Sequence, residues 1–210
     1  MSGRARDVAA CAIAYAVGSV PTGVIVSRLA RGIDVRQYGS GGMGTTNVLR
    51  TVGPVAAGSV FALDVAKGSV AVLIARGLGA STAGQAGAGV AAVAGHSWPV
   101  WARFQGGKSV ATGFGALLVL SPEGSMAAVV GGLAALAATR VVSVGSLAAA
   151  MSATVGSGAG ALRHSRRGLW PFAYAAVATA IIAARHSGNL RRLLEGTEPR
   201  LSLRSLRPHS

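Results

Sequence analysis

The chain has 210 residues, 51% hydrophobic and 12% charged, with a mean hydropathy of +0.51, too apolar for an ordinary water-soluble domain and predicting lipid as its solvent. Its formal net charge of +14 suggests nucleic acid only in isolation: the basic residues are scattered between apolar runs and crowd into the C-terminal tail without a nucleic-acid-binding motif, so arginine anchoring at an anionic leaflet fits better. The single cysteine, Cys11, excludes an intramolecular disulfide framework, while Gly 31 and abundant alanine suit closely packed membrane helices.

The first apolar run, 8–29, is long enough to cross hydrocarbon at roughly 20 residues per span. Arg4 and Arg6 ahead of it also fit a signal peptide. Apolar character resumes after Pro21 and further spans follow, which favours a retained helix. The stretch "RGIDVRQYGSGGMGTTNVLRTVG" is polar and glycine-dense, cannot cross lipid as a helix, and is predicted to be a loop or re-entrant segment. Further apolar runs cover 54–79, 84–102, 110–121, 124–139, 144–161 and 168–184, giving about seven spans. The pair 110–121 and 124–139 also reads as one broken hairpin, which leaves five or six crossings.

The predicted fold is therefore an all-α integral membrane bundle of about seven transmembrane helices, one polytopic domain over 1–210 with a basic tail at 190–210. Lys and Arg set the orientation. With the N-terminus out and the C-terminus in, about thirteen basic residues face the cytoplasm and about six face outward; the "RHSRR" loop, 163–167, is the exception. In that topology every glycine-rich polar segment converges on the cytoplasmic face.

Several segments there carry chemistry. In "YGSGGMGTTNVLR", Gly39, Gly41, Gly42 and Gly44 permit turns that aim backbone N–H groups at an anion; Ser40, Thr45 and Asn47 add polar contacts, and Arg50 adds a fork matched to phosphate. A flexible surface loop is the plain alternative. "FQGGKSVATG" looks like a nucleotide loop, but Ala102 stands where its first glycine belongs and the preceding "AGHSWPVWARF" is not a strand. Gly106 and Gly107 are instead predicted to turn the chain at the end of a span. Lys108 then sits at the mouth of the next helix, as a phosphate ligand or as a snorkelling interfacial lysine. Ser143 and Ser146 share one side of a helix. His186 and Asn189 form an i, i+3 pair at the exit of the last span, where a histidine can orient or deprotonate a hydroxyl. His96 is more interior, organising the site or bonding within the core. Asp64 and Lys67, also i, i+3, read as an intramembrane ion pair. No cluster of metal-ligating residues and no cofactor motif is present, so neither a metal nor a cofactor is expected.

Taken together and in order, "GSVPTGVIVSRLARGIDVRQYGSGGMGTTNVLRTVG", "DVAKG", "GHSWPVWARFQGGKSVATGFGALL", "TRVVSVGSL" and "RHSGNLRRLLEGTEP" resemble the motifs of the PlsY family, bacterial membrane acyltransferases. The resemblance implies transfer of a fatty acyl group from acyl phosphate to the 1-hydroxyl of glycerol 3-phosphate, giving lysophosphatidic acid and phosphate in phospholipid synthesis. It also implies an inner-membrane location with cytoplasmic chemistry, and an active site lined by Ser40, Asn47, Arg50, Lys108, Ser143, Ser146, His186 and Asn189; the residue pattern read above adds Gly41, Gly106, Gly107 and His96 as substrate-binding candidates. Membrane lipid is the other expected partner. The chain departs from the family pattern at Gly42 (commonly Asn), Thr45 (Ala), Ser109 (Gly), and Ser187 and Gly188 (Arg and Glu). Those departures keep a catalytically diverged binding paralogue open as a second reading, beside a transporter of a small phosphorylated anion.

Overall fold

The computed structural model describes residues 2–164 and 168–201. Among these the chain forms ten α-helices and two short 3₁₀ turns: α1 (Gly3–Gly18), α2 (Thr22–Arg31), α3 (Thr45–Thr51), α4 (Pro54–Gly77), α5 (Thr82–Ser97), α6 (Val110–Leu120), α7 (Pro122–Thr139), α8 (Val142–His164), α9 (Leu169–Arg185) and α10 (Ser187–Leu194), with the turns at Val35–Gln37 and Val100–Ala102. The protein is an all-helical integral membrane protein. Three stretches, Gly3–Arg31, Pro54–Gly77 and Val142–Arg163, are long and apolar enough to cross a membrane, and α6 and α9 are shorter apolar helices.

The first predicted span is interrupted. Pro21 lacks the N–H that would continue α1, and Ser19 and Val20 close the break by bonding back to Tyr15 and Val17. The run 110–139 is two helices meeting at Ser121, whose hydroxyl caps α7 by accepting from the Gly124 N–H at 3.1 Å. Arg166 and Arg167, in the loop that opposes the charge rule, lie outside the described residues.

Small residues set how the helices meet. A Cβ on Gly18 would overlap the Ala92 carbonyl where α1 crosses α5, and one on Gly115 would overlap the Val65 carbonyl where α6 crosses α4, so glycine alone allows these backbones to touch. The central packing gathers Val72, Val93, Ala116, Leu117, Tyr174 and Ala178 from α4, α5, α6 and α9, and the Tyr174 hydroxyl is satisfied at the Gly113 carbonyl, 2.7 Å away.

α1 and α5 run side by side in the same direction, so that their starts share one end of the bundle and their last turns the other. At one end Asp7 accepts from the Ser81 backbone N–H at 2.8 Å and from its hydroxyl at 2.6 Å. At the other end Tyr15 donates to the Trp98 carbonyl at 2.7 Å, and Arg36 donates to the Ala102 carbonyl at 3.1 Å. The second end carries the glycine loop, the lysine loop, the start of α8 and the α9–α10 junction.

Candidate functional site

The glycine loop is built around Asn47. Its amide nitrogen donates to the carbonyls of Val35 and Tyr38, both at 3.0 Å, and of Gly42 at 2.7 Å, while its Oδ1 accepts from the Ser40 N–H at 3.0 Å. With the amide nitrogen committed to three backbone carbonyls, no donor is left for a ligand: Asn47 shapes the loop from beneath, and the loop's exposed rim carries Ser40 and Gly41. Gly39, at φ +58, lies where any Cβ would strike Asn47 Oδ1. A Cβ on Gly42 would meet only the Ser40 Oγ, at an ordinary contact distance of 3.8 Å, so neither glycine nor a side chain is strained there. Arg50 is exposed on α3.

The lysine loop turns differently from the sequence expectation. Its left-handed residues are Arg103, Phe104 and Ser109, at φ 55, 61 and 62, not Gly106 or Gly107. Those two glycines are needed for close approach: a Cβ on Gly106 would overlap the His96 carbonyl, and one on Gly107 the His96 Nε2. Arg185 clamps the pair from the end of α9, donating to the Gly107 carbonyl at 3.1 Å and the Gly106 carbonyl at 3.2 Å. Ser109 holds its left-handed conformation with its hydroxyl, which donates to the Val93 carbonyl at 2.8 Å and lies 2.6 Å from the Ser97 hydroxyl. The family's glycine at this position is thereby replaced by hydrogen bonding.

Lys108, held between these anchors, extends its ammonium to Asn189 Oδ1 at 2.6 Å. Burial pulls its pKa down to about 8; Glu198 opposes, and the charges of Arg192, Arg50 and Arg185 push the same way as burial. Asn189 donates in turn to Glu198 Oε1 at 2.5 Å, the Ser143 hydroxyl donates to the same oxygen at 2.8 Å, and Arg192 pairs with Oε2 at 2.8 Å. Burial pushes the Glu198 carboxyl up, but these donors outweigh it and hold the group below its ordinary value. His186 donates from Nδ1 to the Ile182 carbonyl at 2.8 Å, which leaves the Nε2 lone pair free as an acceptor. Burial, with Lys108 nearby, lowers its pKa against the opposing Ile182 carbonyl and Glu198, which favours the neutral ring.

The structure thus brings together Lys108, Ser143, His186 and Asn189, with Arg50 close enough for its charge to act on Lys108. Ser146 is placed apart from Ser143: it lines an apolar cavity of about 320 Å³ bounded by α6, α7, α8 and α9 with Phe61 of α4. Val110, Val142 and Ile182 at its rim adjoin the lysine loop, Ser143 and the turn before His186, so the cavity borders the polar site. His96 lies beneath the lysine loop, its Nδ1 2.8 Å from Lys67 Nζ. The Asp64–Lys67 pair is present, at 2.7 Å. The sequence pattern does not single out Arg185, Arg192 or Glu198, and it marks Ser109 only as a departure from the family. The signal for Glu198 was its rarity, since only 6 acidic residues are present in the chain and this one follows a basic run.

The fold and site together define an integral membrane protein whose polar end carries a cationic cluster bordered by an apolar cavity. The glycerol-3-phosphate acyltransferase family model matches residues 8–196. The chain is 44% identical over 193 residues to a glycerol-3-phosphate acyltransferase of Thermus thermophilus, covering 92% of this chain and 94% of that one. It is 43% identical over 191 residues to that of a Synechococcus species, covering 90% and 92%. Among solved structures it is similar to the crystal structure of PlsY, an integral membrane glycerol 3-phosphate acyltransferase, in its glycerol 3-phosphate form, with TM-score 0.84, 34% identity and coverage of 93% and 96%. The lysophosphatidic acid form of PlsY gives TM-score 0.82 and 33% identity over 95% and 97%. The chain belongs to the glycerol-3-phosphate acyltransferase family.

Proposed function

We propose that this chain transfers a fatty acyl group from acyl phosphate to the 1-hydroxyl of glycerol 3-phosphate, releasing lysophosphatidic acid and phosphate, at the cytoplasmic face of a bacterial cell membrane. The observation that carries this reading is the placement of Lys108, Asn189, Ser143 and Arg192 around one carboxylate, that of Glu198. An anion already sits among these donors, with an apolar cavity of about 320 Å³ beside it.

Acyl phosphate is activated before it arrives, so the site need not form an acyl-enzyme; it holds a hydroxyl against a carbonyl and neutralises phosphate. Lys108 and Arg50, with the N–H groups of the glycine loop near Ser40 and Gly41, bind phosphoryl oxygens. Ser143 and Asn189 orient glycerol 3-phosphate, and His186 Nε2 accepts the hydrogen bond of the attacking hydroxyl. The C–O bond to phosphate breaks as the new ester C–O bond forms, and the hydroxyl proton leaves with the released phosphate. The acyl chain lies in the cavity lined by Ser146, Phe61 and Tyr174.

The family departures support retained activity. Gly42 leaves space, Ser109 keeps the backbone conformation, and Ser187 and Gly188 are exposed on α10 while His186 and Asn189 on either side are buried. The test supplies purified protein with acyl phosphate and labelled glycerol 3-phosphate and looks for labelled lysophosphatidic acid. Product is expected. Binding of both substrates without product, where a relative at about 40% identity turns over, overturns the reading.

A further inference from the structure

Lys67 is buried inside the bundle, yet its ammonium makes three contacts on three different elements. It pairs with Asp64 Oδ1 at 2.7 Å on its own helix. It donates to the Val20 carbonyl in the α1–α2 break at 3.1 Å, and it reaches His96 Nδ1 on α5 at 2.8 Å. All three ammonium protons are thereby used, so His96 Nδ1 is an acceptor and the ring proton lies on Nε2. Asp64 Oδ1 also accepts from the Thr22 hydroxyl at 2.6 Å.

These contacts lead to both halves of the phosphate site. On one side, Thr22 opens α2, and the next residue, Gly23, lies so close to the Met43 carbonyl that no side chain fits between. Met43 belongs to the glycine loop. On the other side, the Nε2 edge of His96 packs against Gly107, directly ahead of Lys108, and the His96 carbonyl accepts from the Gly107 N–H at 3.1 Å. One α4 ion pair therefore touches the support of each loop. A buried pair is weak evidence for stability, because apolar residues of like volume commonly serve as well or better. What the pair adds is directional contact with the α1–α2 break, Thr22 and His96 at once.

We propose that Asp64 and Lys67, acting through Thr22 and His96, are positioning residues that set the spacing between the glycine loop and Lys108. The inference rests on the phosphate-binding reading above. A misplacement of about 1 Å between groups that hold one substrate costs on the order of a hundredfold in rate.

The test compares wild type with Asp64→Leu/Lys67→Met, Thr22→Val and Thr22→Ser, each purified in lipid. Melting temperature, glycerol 3-phosphate dissociation constant, kcat and KM are measured for each. The double variant leaves the Thr22 hydroxyl, the Val20 carbonyl and His96 Nδ1 without these partners, so it is expected to melt lower than wild type while staying folded at the assay temperature, to bind glycerol 3-phosphate at least about tenfold more weakly, and to lose still more in kcat/KM. Thr22→Val should weaken binding about threefold, and Thr22→Ser should restore it, since the hydroxyl to Asp64 returns. If the double variant does not fold, the Val and Ser pair decides. Unchanged binding and kcat/KM in a folded double variant, or equal values for Thr22→Val and Thr22→Ser, overturns the proposal. Wild type that binds glycerol 3-phosphate but makes no lysophosphatidic acid sinks the reaction instead, and leaves the positioning claim to be judged from binding.

Discussion

Lys108 and Asn189, 81 residues apart in the chain, meet through a 2.6 Å hydrogen bond from ammonium to amide oxygen. The contact joins the loop after α5 to the helix after α9. It makes Lys108 a cation with a defined direction, where a free interfacial lysine would sweep through solvent.

On the proposed mechanism, replacing that cation removes one of the phosphate ligands. Lys108→Ala is expected to lower kcat/KM for glycerol 3-phosphate by about a hundredfold or more, and Asn189→Ala by about tenfold, since charged hydrogen bonds carry more than neutral ones. Steady-state kinetics with a parallel melting curve checks both. Wild-type turnover in folded Lys108→Ala would remove the phosphate role.

The pH profile should follow the same group. With the Lys108 pKa lowered to about 8, the ammonium is present below that value and is lost as pH rises through it, so kcat/KM should fall on the alkaline side near 8. Phosphate monoesters gain a proton below about 6, which weakens their binding there. Activity is therefore expected to peak between these limits. Lys108→Arg, charged throughout, should move the alkaline limb up even where it lowers the rate.

Two glycines should respond in opposite ways. Gly107→Ala drives a Cβ into His96 Nε2, whereas a Cβ on Gly42 meets only the Ser40 Oγ at an ordinary 3.8 Å. Gly107→Ala should displace Lys108 and abolish most activity, while Gly42→Asn should leave fold and rate within about twofold of wild type. Activity assays and melting curves on the pair separate these outcomes; a tolerated Gly107→Ala would show that the loop is not held against His96.

The apolar cavity predicts acyl-chain selectivity. Ala149 and Ala178 line it, and a phenylalanine at either fills part of the space that methylene groups would occupy. Turnover of long-chain acyl phosphates should fall at least about tenfold, while short chains lose little. A rate that drops equally for all chain lengths would place the acyl group elsewhere.

The membrane character, the all-helical fold and the family were legible in the sequence because each depends on local pattern. Apolar runs of span length, glycine at fixed offsets and ordered motifs need no knowledge of neighbours. The i, i+3 spacing of Asp64 and Lys67 likewise implied their pairing, since a helix alone places them together. What tertiary structure decided is which polar groups remain available. Asn47 has the composition of a ligand, but folding surrounds its amide with Val35, Tyr38, Gly42 and Ser40. Ser143 and Ser146 share a helical side by spacing, yet one meets Glu198 and the other an apolar cavity. Gly106 and Gly107 read as turn formers and act instead by letting His96 approach. Glu198 and Arg185 gain their partners only when the last helix returns to the end of the bundle where α5 and α8 meet the loops. Sequence periodicity governs contacts a few residues apart; a hydrogen bond across 81 residues exists only once packing has brought its two ends together.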